Sequence, residues 1–210
     1  IERGYWKGLR YSAILIVPIS LVIAIYARPL VFLILGEKWL YVIHIIQIIS
    51  IFSVFQGMGG GIFASAIYAS GIPKLTSITN IFRIIALPFF VWIGSQWGLM
   101  GVAWGVAVFG IVGRFFNQWL LKMYLGYSFL KFFRVIAKPI AANTGLLACG
   151  MICQLFINLS HPISTALITF LCGILTLGFY GVICRLLMPS DVRFLFTQFQ
   201  RVTKFALFRG

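Results

Sequence analysis

Acidic side chains are almost missing from this sequence. Among 210 residues only Glu2, Glu37 and Asp191 are acidic, and charged residues of both signs make up 10%. A water-soluble domain carries about 25% charged residues, so this chain cannot cover a surface facing water. The same scarcity removes the usual equipment of enzymes. There is no carboxylate pair, no nucleophile beside a base, no phosphate loop and no metal-ligand spacing, and the two histidines, His44 and His161, have no partners in sequence. The four cysteines, Cys149, Cys153, Cys172 and Cys184, form no CxxC pair and lie within apolar runs, where they read as small packing residues. The expectation is a protein that is not an enzyme and holds no metal or cofactor.

What remains is apolar and basic. Hydrophobic residues make up 61% and the mean hydropathy is +1.05, which predicts an integral membrane protein of all-α class. Six apolar runs have spanning length: about 11–35, 40–70, 75–94, 99–121, 139–157 and 163–187. Short connections such as "GEKW", "GIPK" and "SQWG" imply antiparallel neighbours in a bundle. The organisation predicted is a flank over 1–10, four spans over 11–121, an interfacial connection over 122–138, two further spans over 139–187, and a basic amphipathic tail over 188–210.

The net charge of +14 could suggest nucleic acid, but the placement of the cations argues against that partner. They fall in short clusters between apolar runs rather than on one stripe. One side of the membrane receives Arg3, Lys7, Arg10, Lys74, Lys122, Lys131, Arg134, Lys138, Arg185, Arg193, Arg201, Lys204 and Arg209. The other receives Lys38 and Arg28. By the positive-inside rule both ends of this sequence are expected in the cytoplasm. Trp39, Trp92 and Trp97 at outer ends and Trp6 and Trp119 at inner ends suit interfacial belts. The sequence opens on Ile1 without a signal-peptide core, so it is expected to be part of a longer protein.

Glycine is concentrated in "GMGGG", Gly57 to Gly61. Lipid supplies no hydrophobic drive between helices, so close packing relies on small residues four apart. Gly57, Gly61, Ser65 and Ala69 form such a stripe, as do Gly101 and Gly105, and Gly173 and Gly181 lie two such steps apart. Gly59 and Gly60 point elsewhere and are expected to form a swivel with Gly57 and Gly61. Pro18 and Pro88 add two kink sites.

Two arginines lie inside spans. Arg83 and Arg114 are each eight residues from the basic end of consecutive antiparallel helices, ~12 Å deep at 1.5 Å per residue. Polar residues share their faces: Thr76 and Asn80 with Arg83, and Asn117, Gln118 and Gly110 with Arg114. No acid lies in any span to pair them. Two readings follow: the arginines snorkel toward the headgroups as helix anchors, or they face a cationic, water-filled cavity holding a phosphate or carboxylate, with Arg83, Arg114, Asn80 and Asn117 as its walls. His44 and Gln47 are candidates for an outer vestibule.

The segments "RPLVFLILGEKWLYVIHIIQIISIF", "YASGIPKLTSITNIFRI" and "QWGLMGVAWGVAV" together resemble the C-terminal half of the Wzx-type oligosaccharide flippases. These belong to the multidrug/oligosaccharide-lipid/polysaccharide exporter superfamily. The resemblance covers about 11–139 and rests on Pro29, Gly36, Trp39, Gln47, Gly71, Pro73, Lys74, Asn80, Arg83 and the run Trp97–Ala107. It implies a two-lobe, alternating-access exporter fold in the bacterial inner membrane. It implies transport of polyprenyl-pyrophosphate-linked oligosaccharide for polysaccharide or lipopolysaccharide assembly. The implied partners are membrane lipid, the lipid-linked oligosaccharide, an N-terminal lobe of the same protein and polysaccharide polymerase machinery. A multidrug/cation antiporter of the same superfamily and a non-transporting truncated membrane protein are the alternatives.

Overall fold

Turn chemistry and apolar run length set the elements of this all-α protein. The computed structural model describes residues 1–57, 60–154, 162–189 and 191, and among them there is no strand. The helices are α1 (Glu2–Ile25), α2 (Ala27–Ile34), a 3-10 segment (Glu37–Val42), α3 (Ile43–Gly57), α4 (Gly60–Ala69), α5 (Lys74–Ser95), α6 (Gly98–Leu125), α7 (Phe129–Gln154) and α8 (Pro162–Leu187). Six stretches are long and apolar enough to cross a membrane: Glu2–Ile25, Glu37–Ala69, Lys74–Ser95, Gly98–Leu125, Phe129–Gln154 and Thr165–Leu187. The chain is a multi-pass membrane protein.

The helices lie side by side in a row. α5 packs on α6, α6 on α3, α3 on α1, α1 on α7 and α7 on α8. One core gathers Tyr5, Trp6, Leu9, Leu75, Leu121, Tyr127 and Phe132 at the basic end, where α1 and α7 begin and α6 ends. A second gathers Ile14, Tyr26, Leu146, Tyr180 and Cys184 between α1, α7 and α8.

Several boundaries differ from the sequence reading. The flank over 1–10 is helical and packed, because Tyr5, Leu9, Ala13 and Val17 repeat at four-residue spacing and all are buried. Trp6, expected at the membrane interface, is buried as well, and its indole N–H donates to Glu2 Oε1 at 2.8 Å. The first span divides at Tyr26, so that Pro29 falls in the first turn of α2, where its missing N–H has no intrahelical partner to lose. The connection expected over 122–138 is helical except at 126–128. Gly126, with φ of 71°, adopts the left-handed conformation that ends α6 and lets α7 start three residues later.

Pro18 and Pro88 sit within continuous helices. Pro18 removes the N–H that would bond the Ile14 carbonyl, and the freed carbonyl accepts a hydrogen bond from the Tyr180 hydroxyl of α8 at 2.9 Å. The proline is thus a buried, clamped position and not a free kink. Gly59 and the adjoining Met58 lie outside the described residues, and with them the swivel expected there. The amphipathic tail over 192–210 also lies outside them.

The small-residue stripes divide into those that pack and those that do not. A Cβ on Gly101 would collide with the Gly94 carbonyl, and one on Gly105 with the Phe90 carbonyl, so α5 and α6 meet backbone to backbone. A Cβ on Gly57 would meet Ile16 of α1 at 2.9 Å. Gly60, Gly61, Gly173 and Gly181 face open space, so the packing role assigned to the last three is corrected. In α7 and α8 the close approaches are instead Gly145 to Ile183 and Gly150 to Ile25 and Thr176.

Candidate anion-binding cleft

The two span arginines reach one cleft. α5 supplies Phe82 and Arg83, α6 supplies Phe109, Gly110, Gly113, Arg114 and Asn117, α3 supplies Phe55 and α4 supplies Gly60. On α6 the residues 110, 113, 114 and 117 share a face at helical spacing, and the two glycines leave room where side chains would fill it. The cavity is about 70 Å³. That volume admits several waters or a phosphate-sized group.

Arg114 is almost wholly buried, at 5% exposure. Its Nη2 donates to the Tyr5 hydroxyl at 3.2 Å, and that hydroxyl donates to Gln118 Oε1 at 3.1 Å. The guanidinium carbon lies 4.8 Å from the centre of the Phe132 ring, whose negative π face partly compensates the charge. Arg114 Nε and Gln118 Nε2 are buried without hydrogen-bond partners among the described residues. A buried guanidinium with an unused donor and no carboxylate beside it is a site that favours an incoming anion. Tyr127 in the turn between the spans packs on Tyr5 with ring centroids 5.4 Å apart. Burial pushes its phenol above the ordinary value, so it stays neutral at physiological pH.

Arg83 is exposed at the rim and makes no hydrogen bond or ion pair among the described residues. Asn117 is half-buried in the cleft wall. Asn80 is corrected: it is exposed on α5 and does not line the cleft. It lies one turn, ~4.5 Å, from Arg83 toward the basic end, beyond the cleft's edge. Gln47 is no vestibule residue but donates to the Ala24 carbonyl at 3.3 Å, tying α3 to α1. His44 is exposed.

The residues that sequence reasoning missed are Tyr5, Phe132 and Phe82. The first two fell in segments read as flank and connection. Their signal was the apolar helical repeat on either side, which continues the spans of α1 and α7 into those segments. Among the described residues no group of three His, Cys, Asp or Glu side chains is placed to hold a metal ion. The cleft can bind and orient an anion through hydrogen bonds and charge, and it offers no general acid or base. In comparisons with protein-family models, curated proteins and solved structures, the chain matches none.

Proposed function

We propose that this chain is the C-terminal part of a flippase that moves polyprenyl-pyrophosphate-linked oligosaccharide across the bacterial inner membrane, with both ends of the sequence in the cytoplasm. The observation that carries the reading is the convergence of Arg83 and Arg114 on one intramembrane cleft whose lining residues include no carboxylate. Two arginines lining one cleft without a counter-charge suit an anionic phosphate headgroup. The cleft would hold the charged headgroup, with the sugar in a space completed by a second lobe. α5, bare of protein on most of its surface, would leave the polyprenyl tail in the bilayer. Transport then requires no acid–base chemistry from these residues, and none is assigned. The cation-antiporter alternative is weakened because a cationic wall repels a cationic substrate.

The test is export of surface polysaccharide by cells carrying the full-length protein. Arg83→Gln should lower export at least about tenfold with unchanged membrane abundance, the loss of one charge-assisted contact. Arg114→Lys should do the same, since it keeps the charge and loses the planar fork. Unaffected export in both variants would remove the assigned role.

A further inference from the structure

The first three turns of α7 carry a surface that neither the core nor the cleft uses. Phe132, Val135, Ile136 and Pro139 are buried and fix the orientation of the helix. The remaining circumference is then divided in two. Toward α6, Phe129 stacks on Phe115, the rings nearly parallel at 3° and 5.9 Å between centroids, and Phe133 packs tilted against both. Leu130 beside them is 68% exposed. Toward α1, Lys131, Arg134 and Lys138 follow at i, i+3, i+7, and all three are exposed. Lys131 is anchored, pairing with Glu2 at 2.6 Å and lying 5.3 Å from the Trp6 ring centre. Arg134 and Lys138 have no hydrogen-bond or ion-pair partner among the described residues.

An exposed aromatic shelf beside a cationic row, at the end of a spanning helix, has two chemical demands at once. The shelf wants acyl chain and the row wants anionic oxygen. We propose that this surface binds an anionic glycerophospholipid, with the phosphodiester on Arg134 and Lys138 and the upper acyl chain on Leu130 and Phe133. Charge complementarity selects the occupant: around the row the only acids among the described residues are Glu2, already paired with Lys131, and Asp191, paired with Arg10 at 3.2 Å. A zwitterionic lipid satisfies the shelf but brings its own cation to the row. The site is separate from the Arg83–Arg114 cleft and does not depend on the transport reading.

The test is native mass spectrometry of the intact, detergent-purified chain titrated with phosphatidylglycerol or phosphatidylcholine of matched acyl chains. Phosphatidylglycerol should bind more tightly, and the preference should shrink as salt rises. Each cation removed should weaken it about fivefold, so Arg134→Gln with Lys138→Gln should cost about twenty-fivefold. Arg134→Lys with Lys138→Arg should retain binding, and Lys38→Gln at the opposite end should leave it unchanged. Leu130→Ser with Phe133→Ser should weaken both lipids together. Equal binding of the two lipids would overturn the proposal. So would an Arg134→Gln/Lys138→Gln protein of unchanged helicity and elution volume that keeps the preference.

Discussion

α1 and α5 are both apolar helices of spanning length, yet they are held by different forces. In the most apolar window of α1, 44% of residues are buried within the protein, against 11% for α5. α1 lies between α3, α7 and α8, and polar contacts bond it to α3 (Ser20 to Ser53 at 3.2 Å, Ala24 to Gln47), to α8 (Ile14 to Tyr180) and to α6 (Tyr5 to Arg114). α5 leans almost entirely on α6. Its grip is the backbone approach at Gly94, Gly101 and Gly105, with aromatic stacking of Phe82 on Phe116 at 4.1 Å. In water a helix so bare would unfold or aggregate. In lipid its outward Ile81, Ile84, Ile85 and Phe89 are at no disadvantage, so van der Waals fit along one seam is enough. The cleft lies on this thinly held side while its buried arginine is fixed by the thickly held one. A movement of α5 would therefore change Arg83's position and leave Arg114's unchanged.

The largest effect should come from breaking the α5 seam. Gly101→Val forces a side chain into the Gly94 backbone and should destabilise the bundle by about 3 kcal/mol in detergent unfolding. Gly181→Val, which meets open space, should be close to neutral. Equal behaviour of the two would show that the seam is not backbone contact. A smaller effect should come from the α1 side. Tyr180→Phe leaves the Ile14 carbonyl unpaired and should cost about 1 kcal/mol. The same change in a Pro18→Ala background should cost distinctly less, because an N–H at position 18 then takes that carbonyl; additive effects in this cycle would refute the clamp. The smallest effect should come from Glu2→Gln, which removes an exposed ion pair with Lys131. Its unfolding midpoint should stay within error at high salt, and a large shift there would mean that the pair is a real fastener of α1 to α7.

Legibility varied with the physics of each feature. The six spans were readable because lipid demands about 20 apolar residues in a row whatever the neighbours are. The stripes were only half readable: Gly101 and Gly105 pack, while Gly173 and Gly181, also on one helix face, meet open space. Spacing sets which residues share a face, and the row order of helices sets where that face points. Arg83 and Arg114 were readable as neighbours from equal depth on consecutive antiparallel helices. Asn80 was not separable from Arg83, since one turn of helix decides which of them reaches the cleft.

Sequence alone determined that this chain has six stretches able to cross a membrane and that two guanidiniums lie within those spans without an acid in any span to meet them. Those are properties of local sequence in an apolar solvent, and they hold for any arrangement of the helices. Tertiary structure alone decided that Tyr5 and Phe132 hold Arg114, that Tyr180 caps the carbonyl freed by Pro18, and that the cleft has room for a phosphate-sized group. Each of those depends on residues from different helices or on the volume left between helices, and neither is encoded in any single span.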